Sequence, residues 1–163
     1  MYLDNEKIDT SLFMQGDIIL GFDFPHVLFN NGIFNIDKKA ENIILLSQSC
    51  DLQFGREQNE TYLLCPLITE KQLNDTLKQK GQNANQIQNS LTNMKHNKKY
   101  ELLYLPANVS MEDSFAVFNK TISLQATTLH NKKTNIRLSD SARHFLVDRL
   151  HNFLCRAYDP IRS

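Results

Sequence analysis

The stretch NIILLSQSCDLQ, residues 42–53, runs four aliphatic side chains straight into Ser-Gln-Ser-Cys-Asp. Residues 43–49 read as a strand, because a short β-branched and Leu-rich run is bounded by small polar groups. The packet that follows is either a strand end or a site. If the strand persists, Ser47, Ser49 and Asp51 share one face, and Gln48 and Cys50 share the other. Cys50 and Asp51 then point apart. A neighbouring carboxylate also raises a thiol pKa. A nucleophilic cysteine needs a His or a helix N-terminus to form its thiolate, and no local His is present. Cys50 therefore reads as a small apolar group, with Ser49 and Asp51 serving turn donors. Asp51 is the better candidate for proton transfer.

Outward from this stretch the pattern is mainly β. LFMQGDIILGFDF (12–24) has turn chemistry at Gln15-Gly16-Asp17 and continues as a first strand. The NNG at 30–32, between HVLF and IFNI, predicts a hairpin because Asn and Gly tolerate positive φ. TYLLCPLIT (61–69) is a further strand, with Pro66 expected at an edge or a bulge. Residues 70–99 change character. They are rich in Gln, Asn and Lys, and Leu73, Leu77, Ile87, Leu91 and Met94 recur at helical spacing around Gly81. Two short amphipathic helices packed on one face are expected there, as an insertion. Strand patterning resumes at 100–105 and again over 114–125, read as one strand. Ser139 is a good N-cap for a last helix, and Ala142, Leu146, Leu150, Phe153, Leu154 and Ala157 form its core stripe. The expectation is one α+β domain over 1–163, with a helical insertion and a C-terminal helix covering the sheet.

Composition narrows the function classes. Lys+Arg and Asp+Glu balance at 18 each, so no global basic field holds a nucleic acid, and an RNA surface would have to be local. Three cysteines without paired spacing argue against a disulfide framework and fit a reducing cytosol. No signal-peptide pattern opens the chain, and no apolar run approaches a membrane span. A cytoplasmic protein without membrane contact is expected.

Other constellations have plain explanations. His144, Asp148, His151 and Cys155 are spaced four, three and four apart on one helical stripe. All are zinc-ligand types, but one straight helix rarely closes a tetrahedral site alone. The stripe reads as a solvent or partner face, and no metal is assigned. Arg137, Arg143, Arg149 and Arg156, with Lys132 and Lys133 upstream, read as snorkelling edge residues with phosphate contact as the alternative. Phosphate-loop, dinucleotide, nucleophile-elbow and zincin motifs are missing from the sequence, so no cofactor is expected.

Two segments in order, QGDIIL (15–20) and NIILLSQ to YLLCPLIT (42–69), together with the tail FNKTISLQATTLHNKKTNIRLSDSARHFLVDRL, resemble the MazF/PemK-like toxins. The resemblance implies an SH3-like barrel, and a homodimeric, metal-independent ribonuclease of single-stranded RNA held by an antitoxin. Aligned on Ser47, it puts Glu41 at the family's catalytic Arg and Asn42 at the following Pro. Thr69 matches the family's Thr, one residue late. Arg56, in the loop after the strand, is the candidate replacement cation. The site residues expected on this basis are Asp51 and Thr69 for proton transfer and Arg56 for charge stabilisation. Gln48, Ser49 and Cys50 form the binding rim. Two functions follow: a divergent endoribonuclease or toxin–antitoxin or defence component, and a catalytically inactive barrel that binds a protein partner.

Overall fold

The computed structural model describes residues 1–3, 12–30, 32–48, 61–129 and 131–156. The chain is α+β. Its strands are β1 (Asp17–Asn30), β2 (Ile33–Leu45), β3 (Thr61–Thr69), β4 (Leu102–Leu105), β5 (Ser114–Val117), β6 (Ile122–Gln125) and β7 (Ile136–Arg137). Its helices are α1 (Glu70–Gln79), α2 (Ala84–Lys95) and α3 (Asp140–Arg156). Among the described residues the strands form an open seven-stranded sheet in the order β4-β5-β3-β2-β1-β7, with β6 also pairing β3. Every registered pairing is antiparallel.

The first turn does more than reverse the chain. Gly16 adopts φ +86° and its N–H donates to the Leu45 carbonyl at 2.8 Å. A Cβ there would lie 3.0 Å from Arg143 Cγ and 3.2 Å from Leu138 Cδ1, so only glycine fits both the backbone and the space. Asp17 follows, fully buried. It accepts from Arg137 Nε at 2.7 Å and Nη2 at 2.8 Å, from the Thr134 hydroxyl at 2.8 Å and from the Met14 N–H at 2.9 Å. Arg137 Nη2 also donates to the Leu12 carbonyl at 2.6 Å. The expectation of an edge arginine at 137 is therefore corrected. Arg137 is buried and clasps β1 to β7, because a bidentate carboxylate offsets the cost of desolvating its guanidinium.

A bulge divides β1 in two. Ile19 faces Ile43, but Phe22 faces Glu41, so β1 carries one extra residue. The freed Leu20 and Gly21 N–H groups donate to the side chains of Asn135 and Asn42, at 2.9 and 3.1 Å. An extra residue exchanges the faces of all that follows. Ile19, Phe22 and Phe24 consequently share one core with Ile43, Leu45, Tyr62 and Leu64. A second core, under α3, gathers Ile18, Ile44, Leu46, Leu103, Ile136, Leu138, Ala142 and Leu146.

β1 and β2 are each a single long strand, where sequence patterning suggested shorter pieces. Residues 114–125 are not one strand: a 3-10 turn at Phe118–Lys120 separates β5 from β6. That turn lets β3 pair with β6 over residues 61–64 and with β5 over residues 67–69. Pro66, which has no N–H to give, occupies the gap between those two ladders. Two short helices form within 70–99, with the expected apolar positions buried. α1 and α2 carry reciprocal capping boxes, Thr69 with Gln72 and Asn83 with Gln86. Leu73, Leu77, Ile87, Leu91 and Met94 are buried against Leu102, Phe115 and Val117. On α3, Ala142 and Leu146 are buried but Leu154 is exposed, so the core stripe is shorter than expected. No helix among the described residues is long and apolar enough to cross a membrane.

Arg137→Leu leaves Asp17 buried without its counter-charge and is expected to cost about 3–5 kcal/mol in urea unfolding. Adding Asp17→Asn should recover part of that loss. A cost under about 1 kcal/mol for Arg137→Leu would show that the clasp does not hold the sheet.

Candidate functional site

The expected site residues fall in different places. Gln48 is exposed just beyond the end of β2. Beside it, Ser47 Oγ accepts from the Leu63 N–H at 2.8 Å and the Leu46 carbonyl accepts from Gln15 Nε2 at 2.7 Å. Ser49, Cys50, Asp51 and Arg56 lie outside the described residues. Thr69 ends β3 and caps α1, its hydroxyl accepting from the Gln72 N–H at 3.2 Å. Leu45 faces Leu64. Gln48 is three positions beyond that pair and Thr69 five positions the other way. At a rise of about 3.3 Å per residue the two are roughly 25 Å apart, so they do not share one site.

Glu41 has a histidine partner. Glu41 Oε1 lies 3.0 Å from His26 Nε2, with the carboxylate 15% and the imidazole 34% exposed. The ring packs edge-on to Phe24 at 5.7 Å. Phe22, directly across from Glu41, lies under the Lys132 ammonium at 5.7 Å. An imidazole oriented by a carboxylate is the arrangement of a general base. Sequence reasoning missed this pair. Counting register from Asn30 and Ile33 puts His26 opposite Asp37, not Glu41.

A larger feature carries that pair at its base. Among the described residues, β3 pairs with β2 over Asn42–Leu45 and β7 pairs with β1 at Asp17 and Ile18. Beyond those ladders, residues 22–30 and 33–41 form a two-stranded ribbon. Val27 faces Ile36 and Phe29 faces Phe34, the latter rings 4.7 Å apart. These four share one face and are 62–72% exposed. Leu28 and Ile33, on the other face, are exposed as well. The signal was present in the sequence: VLF and IF are apolar on both faces, unlike a half-buried strand.

A second polar cluster ties the insertion to the sheet. Lys95 Nζ contacts Glu70 Oε2 at 2.6 Å and Asp113 Oδ2 at 2.8 Å. Asp113 Oδ1 accepts from the Tyr104 hydroxyl at 2.9 Å and the Ala107 N–H at 2.7 Å. Lys95 holds the Asp113 carboxyl down at about 2, aided by the Ala107 and Tyr104 donors. The Lys95 ammonium is in turn pushed up by its bonds to Asp113 and Glu70. Burial pushes the Cys65 thiol up to about 12, which makes it inert. On α3, His144, Asp148, His151 and Cys155 are exposed, and Cys155 Sγ lies 3.4 Å from His151 Nε2. Among the described residues no group of three or more His, Cys, Asp or Glu is arranged to hold a metal.

Comparison with known proteins identifies no relative: no family model, no curated protein and no solved structure matches the chain.

The Asp113 contribution sets an acid limb of stability. Its carboxyl ordinarily titrates at 3.8 and is lowered to about 2 in the fold. The stabilisation is therefore present above pH 4 or so and is lost as pH falls through about 2. Urea unfolding against pH should show Asp113→Asn flattening the slope in that window. An unchanged slope would place the acid sensitivity elsewhere.

Proposed function

We propose that this chain is a protein-binding module built on a MazF/PemK-like, SH3-type barrel, with the β1–β2 ribbon as its contact surface. The observation that carries the reading is the exposed apolar face of Val27, Phe29, Phe34 and Ile36. Soluble domains rarely leave such a contiguous patch open unless it binds something. The ordered resemblance of QGDIIL, NIILLSQ and YLLCPLIT supports the barrel family. It would make the partner a component of a toxin–antitoxin or defence system. The balanced charge and the acid at position 41 favour binding over catalysis, since a carboxylate there repels a scissile phosphate.

A second reading is a divergent endoribonuclease acting on single-stranded RNA, favoured by the His26–Glu41 pair. His26 would take the 2′-hydroxyl proton, and Lys132 or Arg56 would face the phosphate. Asp51 and Thr69 remain the other proton-transfer candidates.

Incubation of purified protein with long single-stranded RNA separates the two. The module reading expects no cleavage by wild type. Cleavage that falls at least about 100-fold in His26→Ala and Glu41→Gln would establish the nuclease instead. Cleavage lost only in Asp51→Ala or Arg56→Ala would move the site to those residues.

A further inference from the structure

We infer that His151 and Cys155, on the last two turns of α3, form a two-ligand chelate for a divalent cation of the zinc type. The site is separate from the ribbon and from the His26–Glu41 pair, so it rests on neither functional reading. Three observations carry it. The first is distance. Cys155 Sγ lies 3.4 Å from His151 Nε2 and 3.9 Å from Nδ1. Zinc takes a thiolate at about 2.3 Å and an imidazole nitrogen at about 2.1 Å. A tetrahedral angle between those bonds sets sulfur and nitrogen about 3.6 Å apart. The Nε2 distance meets that bite within about 0.2 Å, the tolerance expected of a metal site. Residues four apart on a helix are neighbours on its surface, so α3 presets the geometry.

The second is the placement of the thiol. Cysteine is among the residue types most often buried. Cys65 follows that rule and is inert. Cys155 is exposed, as is His151. Packing does not account for an exposed thiol, whose use is decided by its chemistry. The third is the field. α3 spans Asp140–Arg156, so the pair sits at the helix end where carbonyls carry partial negative charge and a cation is stabilised. Asp148, three positions before His151, adds a carboxylate to the same exposed stripe. Arg143 and Arg149 are turned to other partners, Arg143 to Asp140 and Arg149 to the Lys99 and Leu102 carbonyls.

On binding, the Cys155 thiol gives its proton to the buffer. The thiolate and the imidazole each donate one lone pair to the ion, and water takes the positions they leave. A thiolate with an imidazole selects zinc or cadmium over magnesium or calcium. One helix supplies half of a tetrahedral shell, so the dissociation constant should be about 1–100 µM, far weaker than a closed structural site.

Titration of the full chain with Zn²⁺, Cd²⁺ and Mg²⁺, after reduction and removal of the reductant, tests this. Calorimetry gives the affinity, and the ultraviolet sulfur-to-cadmium absorption reports thiolate ligation. Wild type should bind Zn²⁺ and Cd²⁺ but not Mg²⁺. Cys155→Ser and His151→Ala, both at exposed positions, should each weaken that binding at least about 10-fold. Wild type that binds neither Zn²⁺ nor Cd²⁺ overturns the proposal and leaves the two side chains as a hydrogen-bonded pair. Binding that keeps its affinity in His151→Ala but not in Cys155→Ser shows a thiol acting alone and overturns the chelate. Binding that keeps its affinity in Cys155→Ser places the ion elsewhere and overturns it as well.

Discussion

Arg137 and Asp17 meet across 120 positions of sequence, both buried. The pair aligns the first strand, the last strand and the elements beside them. Asp17 starts β1 and receives the Met14 N–H, which fixes the turn that brings Gly16 against Leu45. Arg137 ends β7, beside which Tyr2 bridges to Leu138 and the Met1 carbonyl receives the Ser139 N–H. Ser139 then opens α3. The first strand, the last strand, the N-terminal residues and the covering helix thus share one junction. A well-packed apolar pair of similar volume can be as stable as a buried ion pair. What the carboxylate and guanidinium add is a single alignment: a bidentate fork cannot slide by one residue as two aliphatic side chains can.

The local grammar of the chain was legible. Asn30-Asn31-Gly32 announced its hairpin, Ser139 its helix, and the Leu73/Leu77 and Ile87/Leu91/Met94 spacings their buried faces. Each of these depends on residues within a few positions of one another. The readings that changed depend on distant partners. Arg137 looks like any charged residue near a helix until Asp17 is beside it. The 3-10 turn at Phe118–Lys120 exists because β3 needs two neighbours on one edge, and nothing within residues 114–125 states that need. The site was less legible than the fold. His26 and Glu41 are paired with Asp37 and Phe22 in the register, so sequence spacing does not announce their contact. Gln48 and Thr69, both named from the sequence, occupy opposite ends of a ladder. Ser49, Cys50, Asp51 and Arg56 fall in a stretch outside the described residues.

The ribbon joins two features otherwise unrelated. Its apolar face carries Val27, Phe29, Phe34 and Ile36, and its reverse face carries His26 and Glu41 nearer the sheet. The bulge at Leu20 and Gly21 sets which side is which. Without the extra residue the phenylalanines at 22 and 24 would leave the core, and Val27 and Phe29 would turn toward it. One backbone irregularity, held by two asparagine side chains, therefore decides both the composition of a core and the character of a surface.

The helical insertion has a consequence for the order in which the chain assembles. α1 and α2 are capped by their own residues and bury their apolar stripe against each other and the nearby β4–β5 hairpin. The Asp17–Arg137 clasp must instead close a loop of 120 positions. Closure entropy grows with loop length, so local pairs repay their ordering sooner than distant ones. The insertion and the β4–β5 hairpin it packs on belong at the start of the folding reaction, and the clasp at its end. Kinetically, weakening the clasp would speed unfolding and leave the folding rate almost untouched. A feature that fixes the final alignment of the sheet thereby governs how long the native state lasts rather than how fast it is reached.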